Sequence, residues 1–368
     1  LSMVSTGVSL AEREADPAAR TKRAYQGEPE ALNALANAYA NGHGLPQSYD
    51  DAIRLYQLAA DRGLASAQFN LGLLSELGRG VSPDVAIAFK FYLKAAKNGF
   101  APAQFNVGNM LANGIGTGQD LFEAMLWFRQ AAERGLPEAQ YNVGLAYEQG
   151  RGVRQNESLA LEWYRTAAGH GYARAQFNLA SMLIDGRGSP PNPTSALSLY
   201  RASATQNFAP AQYRLGILLA EGRVQPTNLV ESYKWLALAV ESGFPPQFRD
   251  TVATRLSQEQ LREANLSLEA IRTLHSQTTF ATNPIAETRL QSFAPAKDTI
   301  SLHSAGRDTA VATGENKPGS LTRLSHNSPG SPLSPPIRPQ NPDQMAFAEG
   351  PQKVAPGALT LLESSVRS

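Results

Sequence analysis

Apolar residues recur at helical spacing in this chain, within a unit that repeats every 36 residues. In residues 66 to 101, Ala67, Leu71 and Leu74 fall on one face of a first helix. Later units keep similar residues at these positions, so this face is predicted to be core. Leu71 corresponds to Val107, Val143, Leu179 and Leu215, and Leu74 corresponds to Met110, Ala146, Met182 and Leu218.

A four-residue motif has the same period. Ala67-Gln68-Phe69-Asn70 recurs as Ala103-Gln104-Phe105-Asn106, Ala139-Gln140-Tyr141-Asn142, Ala175-Gln176-Phe177-Asn178 and Ala211-Gln212-Tyr213-Arg214. A fixed period of this length is typical of repeat proteins, which bury a continuous core only when neighbouring units stack. Such chains present long surfaces to partners and seldom enclose a catalytic pocket. The sequence therefore predicts a binding scaffold.

Glycines mark where the first helix ends and the chain turns. Each of the first five units has two glycines two residues apart, as in Gly78-Arg79-Gly80, which supply the positive φ of a tight turn. A phosphate-binding loop is the competing interpretation, but those glycines follow a strand, whereas these follow a helix. Another glycine, Gly72, recurs inside the first helix of most units. It predicts close packing between helices.

A second helix follows each turn. Its N-cap position holds Asp84 or an equivalent Ser, Asp or Asn in every unit, and a Gly or Asn suited to a left-handed C-cap closes it. Inside this helix, a small residue such as Ala88 and a bulky one such as Phe91 are expected to interlock in the core. The bulky row comprises Leu55, Phe91, Trp127, Trp163, Leu199 and Trp235.

The repeats occupy residues 28–247 and have additional segments at both ends. Residues 17–27 are read as an N-terminal capping helix after a flexible segment at 1–16, because Ala24 lies one period before Ala60. Residues 248–277 are read as C-terminal capping helices, with a capping box at Ser257 and Gln260. The periodicity is then lost, and the Pro/Ser/Gly-rich stretch 278–368 is predicted to be disordered.

Charge and composition narrow the classes of partner. The chain has 33 basic and 32 acidic residues and no Lys/Arg block, so nucleic acid is not an expected partner. Cysteine is absent, which excludes a disulfide framework and thiolate chemistry. No run of about 18 apolar residues predicts a membrane span within this chain. Because the sequence begins at Leu1 without Met, we interpret it as a fragment or processed product.

The unit resembles the Sel1-like repeat, a relative of the tetratricopeptide repeat. Residues 139–171 carry nearly the whole pattern: Ala139-Gln140-Tyr141, Gly144, Gly150-Arg151-Gly152, Trp163-Tyr164, Ala167-Ala168 and Gly171. The resemblance implies an all-α, right-handed α-solenoid of about six repeats that acts as a non-catalytic adaptor for a protein or peptide. The alternative that it implies is a cell-envelope module associated with glycan or with a hydrolase. It slightly favours the periplasm or cell envelope over the cytoplasm.

The candidate partner-binding residues lie on the first helices, at the motif Asn and three and seven residues after it, which share one face. We expect this face to be a solvent-facing groove, in which the Asn row bonds the backbone of an extended peptide. The alternative is that each Asn bonds an adjacent repeat and fixes the stacking. The set is Asn70, Leu73, Leu77, Asn106, Asn109, Asn113, Asn142, Leu145, Gln149, Asn178, Ser181, Asp185, Arg214, Ile217 and Glu221.

Other chemistry has little support in the sequence. The five histidines are scattered and form no metal-ligand spacing, and no Ser-His-Asp or paired-acid constellation stands out. We therefore expect no metal, no cofactor and no enzymatic activity. Trp127, Trp163 and Trp235 could stack on a sugar or base, but they share a repeat position with leucines, which favours core packing.

The loss of periodicity generates a first prediction. Limited proteolysis is expected to leave a resistant fragment of about residues 17–275, because chains are cut where backbone is neither buried nor hydrogen-bonded. Mass spectrometry of the digest identifies the fragment. Rapid cleavage between residues 100 and 240, with residues 278–368 left intact, would contradict this assignment.

Overall fold

The computed structural model describes residues 17–279, with side chains described for 21–273. This part of the chain consists of fifteen α-helices and contains no strand, which confirms the all-α prediction. The flexible segment predicted at 1–16 lies outside the described residues. So does the tail predicted to be disordered at 278–368, apart from Thr278 and Thr279, which end the last helix.

Six helix pairs follow one another along the chain. The first helices are α2 Pro29–Asn41, α4 Ala65–Leu77, α6 Ala101–Asn113, α8 Pro137–Gln149, α10 Ala173–Asp185 and α12 Ala209–Glu221. The second helices are α3 Tyr49–Asp61, α5 Val85–Lys97, α7 Leu121–Glu133, α9 Glu157–Gly169, α11 Pro193–Thr205 and α13 Leu229–Glu241. α1 Pro17–Tyr25 precedes the pairs, and α14 Gln247–Ala253 and α15 Gln258–Thr279 follow them.

Local signals set the ends of these helices as predicted. At the N-cap of α7, Asp120 Oδ1 accepts a hydrogen bond from the Glu123 amide at 2.9 Å, and the other second helices have equivalent caps. Each first helix is closed by a glycine in the left-handed region, such as Gly150 at φ 68°. Asn207, at φ 62°, replaces glycine after α11. The 13-residue helix length therefore follows from caps that recur every 36 residues.

The two helices of a pair pack through a glycine and a ring. A Cβ atom added to Gly144 would lie 2.8 Å from the Tyr164 ring, so the absence of a side chain allows α8 and α9 to approach. The predicted bulky core row is wrong by one residue, because only Leu55 of that row is buried. The buried row comprises Tyr56, Tyr92, Phe128, Tyr164, Tyr200 and Leu236.

The glutamine of the four-residue motif connects consecutive repeats. Gln140 Nε2 donates to the Ala132 carbonyl at the end of α7, and its Oε1 lies 3.0 Å from His170 Nδ1 after α9. One buried amide thus touches the ends of two second helices. The donor bond to the preceding helix recurs from Gln68 to Ala60, Gln104 to Ala96, Gln176 to Ala168 and Gln212 to Ala204, at 3.2–3.5 Å.

In the second to fifth repeats, the second glycine of the turn also lies against the preceding repeat. A Cβ atom on Gly152 would lie 2.1 Å from the Leu121 carbonyl oxygen at the start of α7, in the preceding repeat. Gly44 has the same position and nearly the same φ in the first repeat, but nothing lies within 4 Å of its Cβ position. In the first five repeats the turn therefore uses glycine for its conformation, and in the second to fifth also for close approach to the preceding repeat. The sixth turn has Val224 at this position.

α1 packs against the first repeat, and α14 packs against the second helix of the sixth repeat. Ala24 of α1 and Val252 of α14 are buried. The predicted capping box at the start of α15 is confirmed, since Ser257 N donates to Gln260 Oε1 and Gln260 N donates to Ser257 Oγ.

Two matched alanine substitutions test the role of the turn glycines. Gly44→Ala is expected to cost about 1 kcal/mol of unfolding free energy, from the left-handed backbone alone. Gly152→Ala is expected to cost about 1–3 kcal/mol more, because the methyl group meets backbone of the preceding repeat. Urea unfolding followed by far-UV circular dichroism measures both. Equal costs for the two variants would contradict the proposed contact between repeats.

Candidate functional site

The fifteen candidate residues lie on five consecutive first helices, from α4 to α12, and we call this set the first-helix face. Five of them are buried: Asn106, Asn109, Asn142, Leu145 and Ile217. Seven are half-buried: Asn70, Leu73, Leu77, Gln149, Asn178, Ser181 and Arg214. Three are exposed: Asn113, Asp185 and Glu221.

The expectation that the whole face is open to solvent is therefore wrong at its centre. Asn106 and Asn142 have no accessible surface, and Asn109 retains only 1%. The physical reason is that neighbouring first helices approach closely enough to bond. Asn142 Nδ2 donates to Asn109 Oδ1 at 3.4 Å across the boundary between two repeats, in a buried environment.

Hydrogen bonds between repeats recur along the Asn row. Asn70 Nδ2 donates to Asn33 Oδ1 at 3.1 Å and to Asn37 Oδ1 at 3.3 Å, both in the first repeat. Asn178 Nδ2 donates to the Tyr164 hydroxyl at 3.1 Å, in the preceding repeat. These bonds fit the alternative interpretation, in which the row fixes the stacking. Whether the same face also contacts a partner stays a prediction.

Two amide atoms on this face have no hydrogen-bond partner within the described residues. They are Nδ2 of Asn109, a donor, and Oε1 of Gln149, an acceptor on the next first helix. A buried amide atom without a partner costs roughly 1–3 kcal/mol, so such atoms are uncommon in folded proteins. The face therefore holds one unused donor and one unused acceptor in adjacent repeats.

A charged network lies beside these amides and was not anticipated from the sequence. Glu148 accepts hydrogen bonds from the Tyr164 hydroxyl and from Arg187 Nη1, both at 2.6 Å. Burial, together with the Glu148 carboxylate, raises the pKa of Tyr164 well above its ordinary value, so the hydroxyl stays protonated and donates. The network ties the turn of the fifth repeat to the fourth.

A signal for this network does exist in the sequence. Tyr92 and Glu76 have the same 16-residue separation and form the equivalent 2.7 Å bond in the second repeat. The third repeat replaces the pair with Phe128 and Ala112, which need no bond. The signal is partial, because Tyr56 and Tyr200 have Ala40 and Ile184 at the glutamate position.

The accessible part of the face is the last turn of each first helix. Between the second and sixth repeats the residue one position before the closing glycine differs each time, although the backbone around it is the same; the first repeat has Asn41, the same residue type as Asn113. From the second to the sixth repeat these residues are Leu77, Asn113, Gln149, Asp185 and Glu221. A regular backbone thus presents different chemistry at regular intervals.

The described residues can also be compared with the requirements of a metal site, a membrane span and a ligand pocket. Between residues 17 and 279, no group of three or more His, Asp or Glu residues could hold a metal ion, and no helix is long and apolar enough to cross a membrane. A shallow hollow near the sixth turn is lined by Gln225, Pro226, Thr227, Asn228, Leu229, Val230 and Gln260, none of which is charged.

The tryptophans do not line the first-helix face. Trp127, Trp163 and Trp235 lie on second helices and are half-buried, so the expectation of full core packing is met only in part. The indole N–H groups of Trp127 and Trp235 donate to Glu123 and Glu231 on the preceding turn of the same helix, at 3.2 Å. These rings are not arranged as a stacking platform in a groove.

The geometry defines an α-solenoid built from tandem helical hairpins, and comparison with known proteins specifies which one. The Sel1 repeat matches six consecutive segments, at residues 29–64, 65–100, 101–136, 137–172, 173–208 and 209–244. The chain belongs to the Sel1 repeat family. No curated protein matches the chain significantly.

Solved structures share the fold. A protective antigen of uropathogenic Escherichia coli with an SLR fold is 26% identical, with a TM-score of 0.64, over 81% of this chain and 61% of that one. This chain therefore spans less than two thirds of the antigen. A Sel1 repeat protein from Oxalobacter formigenes is 34% identical, with a TM-score of 0.54, over 63% of this chain and 90% of that one.

The buried Asn row makes a prediction about stability. Asn106→Ala with Asn142→Ala is expected to lower the unfolding free energy by about 2 kcal/mol or more, since both side chains are buried and both have partners. Asn113→Ala is the control, because its exposed side chain bonds only the Asn109 carbonyl of its own helix. Its expected cost is below about 0.5 kcal/mol.

Thermal unfolding of the three proteins measures the difference. A double variant as stable as the parent chain would contradict a structural role for this row.

Proposed function

We propose that this chain is a non-catalytic scaffold that binds a partner protein or peptide along the first-helix face. Sel1 repeat solenoids generally act as protein-interaction scaffolds, and this chain has six such repeats. The finer assignment, to one face and to a protein or peptide ligand, is our own. It concerns the accessible parts of the face and excludes the buried centre of the Asn row.

The row at the end of the first helices carries this proposal. Its five residues change from apolar to amide to acidic along the array, whereas each is followed by a glycine with φ between 63° and 69°. These side chains are at least partly exposed, so stacking of the repeats does not dictate which residue stands at this position. Repeated backbone with variable, accessible side chains suits recognition of an extended ligand.

The unused amide oxygen of Gln149 supports a peptide as the ligand. An extended backbone offers one N–H per residue, which is the complement of Gln149 Oε1, the atom without a partner on the accessible part of the face. Gln149 is half-buried and its neighbour Asn113 is exposed, so rotation of the glutamine side chain brings its amide to the surface. A backbone bound there would satisfy a group that the fold leaves without a partner.

The two ends of the face differ in chemistry, so we expect a peptide to bind in one orientation along it. In the second repeat, Leu73 and Leu77 are half-buried and apolar. In the fifth and sixth repeats, Asp185 and Glu221 are exposed and Arg214 is half-buried. We expect apolar ligand side chains at the first end and charged ones at the second.

Selection from a random peptide display library on the full chain tests this proposal. Affinities of the selected peptides are then measured for the parent chain and for Asn113→Ala with Gln149→Ala. The variant is expected to bind about tenfold more weakly, because hydrogen bonds to the ligand are lost without opening the core. The control is Glu162→Ala with Ser198→Ala, two exposed side chains on second helices.

If every selected peptide binds the Asn113/Gln149 variant as tightly as the parent, the assignment to the first-helix face fails. Circular dichroism of all variants confirms that the fold is retained.

A further inference from the structure

A second surface lies on the second helices of the second and third repeats, and it combines exposed apolar side chains with lysines. The apolar members are Ile87 on α5 and Phe122 and Leu126 on α7, with 42%, 66% and 46% of their surface accessible. The basic members are Lys90, Lys94 and Lys97 on α5, all exposed. We call these six residues the α5–α7 face.

The apolar members break the pattern of the array. Phe122 and Leu126 are four residues apart on α7 and therefore adjacent on one side of the helix. At the Leu126 position, the other repeats have Arg54, Lys90, Glu162, Ser198 and Lys234, all charged or hydroxylic. The stack itself therefore does not need an apolar residue at this position. Phe122, beside Leu126, is a second exposed apolar side chain that stacking does not explain.

The lysines are equally unusual. α5 contains three lysines and no acidic residue, and Ile87, Lys90, Lys94 and Lys97 project from one side of it. In the described part of the chain, none of the three lysine side chains makes a hydrogen bond or an ion pair. Lys94 and Lys97 lie in the last turn of α5, where a positive charge interacts favourably with the helix dipole. That effect does not explain Lys90, nor why α5 has no acidic residue.

The acidic groups nearby are engaged elsewhere. Asp84 accepts from the amides of Ala86 and Ile87 as the N-cap of α5, and Asp120 caps α7. On α7, Glu123 accepts from the Trp127 indole, and Glu133 pairs with Arg129 at 2.9 Å. None of these carboxylates pairs with a lysine of α5 within the described residues, so the three ammonium groups have no ion-pair partner there.

Contacts at both ends hold the two helices near each other on the same side of the array. At one end, a Cβ atom on Gly116, in the turn before α7, would lie 2.4 Å from the Val85 carbonyl oxygen of α5. At the other end, a Cβ atom on Gly99, just after α5, would lie 3.0 Å from the guanidinium of Arg134, just after α7. Between them, α6 packs against both helices.

We infer that the α5–α7 face is a docking site for an acidic amphipathic segment of a partner protein, separate from the first-helix face. Apolar side chains of the segment cover Ile87, Phe122 and Leu126, and its carboxylates lie opposite Lys90, Lys94 and Lys97. Charge complementarity selects this occupant: three unpaired lysines beside an apolar patch attract acidic chains and repel basic ones. The face makes this chain a scaffold with two independent surfaces.

A designed peptide probe tests the inference on the full chain. The probe is a helical peptide of about 14 residues, long enough to lie along one of these helices, with Leu at i, i+4 and i+7 and Glu along one flank. A charge-reversed peptide has Lys in place of each Glu. Fluorescence anisotropy is expected to show at least about tenfold tighter binding of the acidic peptide, decreasing as salt is added.

Exchanges between repeats supply the variants. Phe122→Ser with Leu126→Ser introduces the residues found at Ser158 and Ser198, and Lys90→Ser with Lys94→Gln uses those at Ser198 and Gln130. Each pair is expected to weaken binding of the acidic peptide by about tenfold or more, because apolar contacts or charge pairs are lost. Ser158→Ala with Glu162→Ala, on α9, is the matched control and should bind like the parent.

Several results would overturn the inference. These are equal binding of both peptides, no binding of either, or unchanged binding by both variant pairs. Concentration-dependent association in sedimentation equilibrium that is lost in the Phe122/Leu126 variant would make the face an interface between copies of this chain. Pelleting with phosphatidylcholine/phosphatidylserine vesicles that is lost in the same variant would make it a lipid-binding face. Asn113→Ala with Gln149→Ala should leave probe binding unchanged, which separates this site from the first-helix face.

Discussion

The bond from a buried glutamine to the end of the preceding second helix is the interaction on which the rest of the array depends. A stack of helix pairs must satisfy carbonyl groups at helix ends that the stacking removes from water. Gln68, Gln104, Gln140, Gln176 and Gln212 each donate to such a carbonyl, at 3.2–3.5 Å. The first repeat has Leu32 at this position instead, which is buried without polar atoms. The glutamine thus bonds each of these repeats to the one before it.

The accessible surfaces of the array depend on how closely neighbouring repeats stack. When first helices are held close together, the middle of their common face closes, and Asn109 and Asn142 bond each other instead of facing water. Accessible chemistry is then confined to the last turn of the first helices and to the outer sides of the second helices. Both surfaces proposed to bind partners lie in these regions. Their side chains vary between repeats because the stack does not constrain them.

The sequence predicted those parts of the fold that depend on local rules. The N-cap of α7 at Asp120, the left-handed glycines and the closing Asn207 were all readable, because each acts within a few residues of itself. The sequence did not predict that the centre of the Asn row is buried, or which of two adjacent rings in each second helix is buried. Trp163 and Tyr164 are adjacent, and only the approach of α8 at Gly144 decides which ring is buried. Spacing within one helix does not contain that information.

The most direct measurement is the unfolding free energy of Gln140→Met, which keeps the size of the side chain but cannot donate to the Ala132 carbonyl. We expect a loss of about 1–2 kcal/mol in urea unfolding, because two hydrogen bonds of the glutamine side chain are lost. The Ala132 carbonyl keeps the Gly135 amide as a donor, and His170 Nδ1 loses Gln140 Oε1. Since the bond joins two repeats, hydrogen exchange should speed up at the end of α7 as well as in α8. A stability within about 0.5 kcal/mol of the parent would contradict the central role given to this glutamine.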